Sequence, residues 1–246
     1  MVYKLGKLPK RIDIRNLKFA KYLKTLPPIP KKLDWTKGII DWGMMLNDQL
    51  GCCTCATAGH MIQGWTVNDS IMKSIPDIDI LEAYKNISGY NGSPSTDQGA
   101  YVLDVLKYWR KYGIGGHKID VFVEIDPTDL QMIKTAIYLF GAVYYGIELP
   151  RSFENQKVWD VPWYGARWNG RKGSAGGHAV SCHGYNENFT LITWGKLQQM
   201  TSRFATTYAS EAYAVLSIED WTGIDRKAPN MFDVETLMED LKGVAR

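Results

Sequence analysis

Long apolar runs are absent from this chain of 246 residues, and its first residues lead into charge rather than into an apolar segment. The sequence therefore predicts neither a membrane-spanning helix nor a secretion signal. Cysteine is also scarce, at four residues, and in a reducing compartment such cysteines are thiols rather than disulfides. We expect a protein without a membrane partner, located in the cytoplasm.

Acidic residues are scarce at the start of the chain. Residues 1–38 hold 11 Lys and Arg but only two Asp, whereas the remainder holds 18 basic and 24 acidic residues. Three prolines between Leu26 and Pro30 favour extended polyproline geometry. We interpret residues 1–33 as an extended basic arm that lies across its own domain; binding of a neighbouring acidic protein is the alternative. The arm carries no base-reading motif, so we do not predict a nucleic-acid partner.

Apolar residues make up 45% of the chain, enough for one large domain or two small lobes. The first half has helical periodicity, with helices predicted over 56–67, 76–87 and from a cap at Thr96 or Asp97 to Tyr112.

The second half mixes strands with a helix that starts at Asp126-Pro127-Thr128-Asp129 and runs to about Phe140. An irregular loop is predicted over 150–176, and strands over 119–125, 142–147, 178–185, 189–194, 202–207 and 211–217.

This order of elements predicts an α+β fold with a helical lobe over 34–118 and a strand-rich, barrel-like lobe over 119–219. The tail, residues 220–246, is predicted to end in a short helix from Asp233 to Leu241. A functional cleft is expected between the two lobes.

Two short segments far apart in the chain carry residues suited to nucleophilic chemistry. The first opens an apolar helix and reads Asn47-Asp48-Gln49-Leu50-Gly51-Cys52-Cys53-Thr54-Cys55; the second begins a strand and reads Gly176-Gly177-His178-Ala179-Val180. A helix N-terminus lowers a thiol pKa, a histidine takes the proton, and an amide side chain binds a developing oxyanion. The segments therefore predict a cysteine nucleophile with His178 as its base, without a metal or cofactor.

Either of two cysteines could be the nucleophile, each paired with its own preceding amide side chain. Gln49 lies six residues before Cys55, and Asn47 lies six residues before Cys53. On a helix, Cys55 falls on an apolar stripe with Trp65, whereas Cys53 shares a face with polar and small residues. Because a thiol on an apolar stripe is usually a packing residue, we favour Cys53 and keep Cys55 as the alternative.

In order and local pattern, residues 34–217 resemble the papain-like cysteine peptidases. The resemblance implies a two-lobe fold and attack on an amide bond by a Cys/His pair. The chain also resembles poorly characterised phage-borne and bacterial proteins with a basic arm and an Asn-Asp-x-x-Gly-x-Cys motif. This second resemblance implies the virion as the alternative location if a phage encodes the chain. The segments that carry the resemblance are Asp34-Trp35, the cysteine motif, Asp97-Gln98-Gly99-Ala100, Gly141 to Ile147, His178-Ala179-Val180 and Thr193-Trp194-Gly195.

Thr193 stands where the papain-like enzymes carry an asparagine that orients the histidine. A hydroxyl accepts a hydrogen bond from the imidazole, but it holds an imidazolium poorly, and loss of an orienting group lowers the rate by several orders of magnitude. The resemblance implies Asn47 or Gln49 for the oxyanion and Thr193 as the remaining partner of His178.

Three functions are open from the sequence. The first is a thiol hydrolase that cleaves a peptide or isopeptide bond. The second is a catalytically degenerate papain-like fold that serves as a structural or binding protein, such as a virion component anchored by its arm. The third, a metal site, is disfavoured because adjacent cysteines lack the usual zinc spacing. An inhibitory propeptide role for the arm is disfavoured because the arm is short and lacks a helical propeptide pattern.

Overall fold

The computed structural model describes residues 4–21, 27–68 and 73–222. Helices dominate the first half of these residues and a single large sheet dominates the second, so the predicted α+β class is confirmed. The helix predicted from Asp233 to Leu241 lies outside the described residues.

The helices are α1 (Cys53–Asn68), α2 (Asp77–Ser88), α3 (Val102–Tyr112), α4 (Leu130–Phe140), α5 (Ser202–Tyr208) and α6 (Ile218–Thr222). The strands are β1 (Leu33–Asp34), β2 (Val121–Ile125), β3 (Val143–Leu149), β4 (Val158–Trp159), β5 (Gly176–Tyr185), β6 (Phe189–Thr193), β7 (Lys196–Met200) and β8 (Ala209–Leu216). Short 3-10 turns occupy Phe19–Lys21, Pro94–Thr96, Arg151–Asn155 and Trp168–Gly170.

Helix α1 is the centre of the molecule, and its residues from 53 to 66 are all buried. A helix that is buried all round shows no polar stripe. Trp65 stacks on Trp109 of α3 with ring centroids 5.6 Å apart, and its indole N–H donates to the Phe140 carbonyl at 2.8 Å. These contacts fix α1, and with it the cysteine motif, between α3 and α4.

The sheet has the strand order β2-β8-β3-β5-β6-β7-β4, and β1 pairs with the end of β5. All pairs are antiparallel except β4 with β7. Trp194 and Gly195 join β6 to β7 with φ values of 46° and 67°, the geometry of a tight two-residue hairpin turn. This turn returns the chain beside the start of β5, where His178 lies.

The structure corrects two predicted elements and adds one strand. The predicted strand over 202–207 is helix α5, because Thr201 caps its first turn by accepting from the Phe204 N–H at 3.0 Å. Strand β7 was not predicted, since its Lys and Gln residues weaken the alternating pattern. Helix α3 begins at Val102 and not near Asp97, because the Asp97 carboxylate binds other groups.

The arm lies against the rest of the chain. Its first described residues run as an extended segment between the 97–100 turn and the start of β5, with Leu8 N–H donating to the Ala100 carbonyl at 3.0 Å. Further along, Phe19 is buried and packs edge-on against Phe140 at 5.6 Å. None of the helices in the described ranges is both long and apolar enough to cross a bilayer.

Candidate active site

Cys53 is the first residue of α1, and its side chain is buried beneath the arm, with the residue 1% exposed. Burial raises the pKa of the Cys53 thiol, and hydrogen bonds from the backbone of Ala179 and Gly6 and the charge of Lys7 offset part of this rise. These contacts place the thiol between Ala179 of β5, the residue that follows His178, and the arm.

His178 lies on β5 and is fully buried. Its Nε2 lies 2.7 Å from the Thr193 hydroxyl, and its ring stacks on Trp194 with centroids 4.1 Å apart and planes 10° apart. Within the described parts of the chain, its Nδ1 has no hydrogen-bond partner. Burial, with a smaller contribution from the charge of His60, lowers the pKa of His178 to about 3. The neutral imidazole is thus held by one nitrogen, which leaves Nδ1 available to another group.

The two candidate amides differ in position. Asn47 is buried, and its Nδ2 lies 3.4 Å from the Lys4 carbonyl and 3.3 Å from the Leu50 carbonyl. The Lys4 carbonyl also accepts from the Trp194 indole N–H at 3.2 Å. Gln49 is exposed. The structure therefore brings Asn47, and not Gln49, to the segment of the arm that passes the site.

All four cysteines are free thiols, and all four are buried. Burial raises the pKa of Cys55 and of Cys182 to about 12 each. The Cys52 thiol lies 3.4 Å from the Met45 carbonyl. Across the described ranges, no group of three or more His, Cys, Asp or Glu side chains is placed to hold a metal ion.

The arm passes directly over the site; the sequence predicts that it lies across its own domain, but not that it covers the site. Lys7 N–H donates to the Gly177 carbonyl at 3.1 Å, and the Gly6 carbonyl accepts from Ala100 N–H at 2.8 Å. A Cβ on Gly6 would lie 1.7 Å from the Gly51 carbonyl oxygen, so the arm is seated as closely as a glycine permits. Nothing in the basic composition of the arm distinguishes Gly6 and Lys7 from their neighbours.

A second set of residues missed by sequence reasoning fixes the far wall of the site. Asp97 accepts from Gly51 N–H at 3.0 Å and from the Tyr84 hydroxyl at 2.5 Å, and that hydroxyl accepts from Gly99 N–H at 3.0 Å. This network ties the 97–100 turn to the start of the cysteine motif. The Asp97-Gln98-Gly99 sequence marks the turn but not its buried partners.

No family model and no curated protein matches this chain, but its structure is similar to those of solved cysteine proteases. Xylellain, a cysteine protease from Xylella fastidiosa, superposes with a TM-score of 0.65 at 18% identity, covering 89% of this chain and 98% of that one. Procathepsin L 3 of the Tenebrio molitor larval midgut gives 0.58 at 12% identity, covering 87% and 76%. The Carica candamarcensis cysteine protease CMS1MS2, solved in complex with E-64, gives 0.55 at 16% identity, covering 77% and 99%.

The chain therefore has the papain-like cysteine peptidase fold, as its sequence resemblance predicts. A helical lobe that carries the cysteine motif is followed by a strand-rich lobe that carries the histidine motif. At identities this low the likeness defines the fold, and the chemistry must be argued from the site itself.

Proposed function

We propose that this protein is a thiol hydrolase that cleaves a peptide or isopeptide bond, with Cys53 as nucleophile and His178 as base. The observation that carries the proposal is the set of contacts around His178: Nε2 on the Thr193 hydroxyl, the ring face on Trp194, and Nδ1 unpartnered among the described residues. An imidazole fixed in this way is oriented for proton transfer at one defined nitrogen.

The reaction proceeds in two halves. The Cys53 thiol gives its proton to His178 Nδ1, and the thiolate attacks the carbonyl carbon of the amide. Asn47 donates its side-chain N–H to the oxyanion that develops, in the place where it now meets the Lys4 carbonyl. The imidazolium then protonates the leaving amine, and water hydrolyses the thioester. Thr193 is the positioning residue, because it accepts Nε2–H and holds the tautomer.

Under this proposal the described structure is a closed state, and the arm has the inhibitory role that its short length and lack of a helical pattern disfavoured. The arm covers Cys53, the pKa of Cys53 lies above its ordinary value and that of His178 lies below, both chiefly through burial. A neutral thiol next to a neutral imidazole is a poor nucleophile. The arm must therefore leave the cleft before a substrate enters, and its departure readmits the water that favours the ionised pair.

The test is the rate of iodoacetamide labelling against pH, read by mass spectrometry at each cysteine. Gly6→Ala is chosen to open the arm, because its Cβ collides with the Gly51 carbonyl while every residue of the cleft is kept. We expect slow labelling of Cys53 in the natural chain, fast labelling below pH 7 in Gly6→Ala, and loss of that reactivity when His178→Ala is added. Ile14→Ala, at an exposed arm position, is the matched control.

Trypsin cleavage after Lys7 reports independently that the arm has been released. A Gly6→Ala chain that trypsin cuts there, yet whose Cys53 labels no faster than the buried Cys55, contradicts the proposal. That result favours the second function, a binding or structural protein, which is motivated by a cleft filled by its own arm and by a hydroxyl in place of the orienting amide.

A further inference from the structure

The side chain of Lys7 leaves the arm and enters a pocket in the sheet, where it is completely buried. Its Nζ lies 2.8 Å from Glu148 Oε1 and 3.2 Å from Glu211 Oε1, and donates to the Leu8 carbonyl at 3.0 Å. The pocket is therefore a cation site with two carboxylates.

The pocket is built by the sheet and not by the arm. Glu148 lies on β3 and Glu211 on β8, and the Tyr213 hydroxyl donates to Glu211 Oε2 at 3.2 Å. Gly146 of β3 leaves the space, since a Cβ there would lie 2.4 Å from Lys7 Cε and 2.5 Å from Glu211 Cγ. When the arm withdraws, both carboxylates and the space between them stay behind.

We infer that this pocket selects substrates with a lysine, which replaces Lys7 when the arm leaves. This inference rests on the proposed function and names its substrate class. A buried carboxylate that loses its cation is strongly unfavourable, so a second ammonium group on an extended chain is the ligand that restores the pocket. The backbone of that chain meets the same main-chain groups, the Gly177 carbonyl and Ala100, that now hold the arm.

The position of the arm in the cleft limits where in the substrate sequence the lysine can lie. The Lys4 carbonyl lies at the Asn47 amide, and Lys7 fills the pocket three residues further along. The substrate lysine is therefore expected within three residues of the carbonyl that reacts. Glutamate at that position is excluded by charge, and a neutral side chain leaves the carboxylates unpaired.

The first experiment measures binding and needs no catalysis. A fluorescent peptide with the sequence of residues 4–9 is titrated into the Gly6→Ala chain, beside peptides with norleucine in place of Lys7 or, as the matched control, of Lys4. We expect norleucine at the Lys7 position to weaken binding about tenfold or more, and norleucine at the Lys4 position to have little effect. Adding Glu211→Gln, or Glu148→Gln if the first variant does not fold, is expected to remove most of the lysine preference.

Equal binding of the lysine and norleucine peptides, or no binding of either once trypsin shows the arm to be released, overturns the inference. The second experiment places the same peptides on a thiol-reactive ketone and follows modification of Cys53. Lysine-selective binding with an inert Cys53 supports the pocket and contradicts the hydrolase. A reactive Cys53 that is indifferent to lysine in both experiments contradicts the pocket alone.

Discussion

Two of the ionic clamps that hold the arm lie in opposite environments. The inner clamp is Lys7 with Glu148 and Glu211, and its lysine side chain is fully buried. The outer clamp is Lys10 and Lys18 with Glu124, and its lysine side chains are 28% and 48% exposed.

The carboxylates of the two clamps have pKa values shifted in opposite directions. Burial raises the pKa of Glu211, and Lys7 and Tyr213 offset only part of that rise. Burial also raises the pKa of Glu124, but the hydrogen bonds and charges of Lys10 and Lys18 outweigh it, so the net shift is downward. The inner clamp thus depends on the presence of its cation, whereas the outer clamp is a modest, solvent-screened attraction. The comparison predicts that the inner clamp controls access to Cys53.

The largest expected effect is the loss of folding stability in acid. Its size shows whether acid acts on the clamps or on the whole fold. His60, His178 and His183 are buried and neutral, and burial lowers their pKa values from the ordinary 6.5 to about 4, 3 and 3. The unfolded chain therefore binds protons first, and stability is lost as the pH falls from about 6.5 toward these values. Each histidine contributes a slope of about 1 kcal/mol per pH unit. Urea unfolding at pH 7, 6 and 5 measures this loss.

The control for the acid prediction is His183→Leu. Neither ring nitrogen of His183 has a hydrogen-bond partner within the described ranges, so the substitution removes a titrating group without breaking a bond. We expect the slope of stability against pH to fall by about a third, whatever the packing change costs at pH 7. An unchanged slope, or release of the arm well before unfolding, would show that acid acts mainly on the clamps.

The second effect is that of Lys7→Met, which shortens the side chain by one atom and removes its charge. Loss of one partner from a buried ionic group costs about 3–5 kcal/mol. In this variant the cost destabilises the conformation in which the arm covers Cys53. We expect labelling of Cys53 by iodoacetamide at pH 7 to rise by about 100-fold or more. Adding Glu211→Gln should reverse part of the rise. If Cys53 in Lys7→Met is labelled no faster than in the natural chain, the inner clamp does not control access to Cys53.

The third effect is smaller and concerns the outer clamp. Glu124→Gln removes the charge that faces Lys10, 2.6 Å away, and Lys18. Since both lysines are partly solvated, we expect a loss of about 1 kcal/mol or less. Trypsin should cut after Lys18 sooner, while Cys53 labelling changes by less than about threefold. If Glu124→Gln exposes Cys53 as fully as Lys7→Met does, the two clamps are equivalent and burial does not distinguish them.

The parts of the molecule that local patterns determine could be predicted from the sequence. The strands β5 and β6 follow from periodicity, and the contact of His178 with Thr193 is the one that the family resemblance implied. Asn47 and Gln49 could not be separated by spacing. The backbone that decides between them turns at Met45 and Leu46, whose positive φ values of 50° and 61° have no signature in ordinary side chains.

The clamps could not be predicted, because they join residues that are distant in the chain. Lys7 and Glu148 are 141 positions apart, and Lys10 and Glu124 are 114 apart. The charge asymmetry of the chain indicated that the arm and body attract each other. It carried no information on which lysine would be buried, because that depends on the space left by Gly146.

The smallest effect is expected at a partly exposed position of the arm, Arg11. Arg11 pairs with Asp104 at 2.6 Å and lies over the Tyr101 ring, 3.8 Å from its centroid, but its side chain is 46% exposed. Solvent screens such a pair, so Arg11→Ala should lower stability by about 0.5 kcal/mol. The stability loss should shrink further in 1 M salt, where the Debye length is about 3 Å, whereas the effect of Lys7→Met should shrink less because Lys7 and Glu211 are buried. Thermal unfolding at low and high salt compares the two variants directly. An Arg11→Ala effect that resists salt as Lys7→Met does would mean that the whole arm, and not the inner clamp alone, is sealed from solvent.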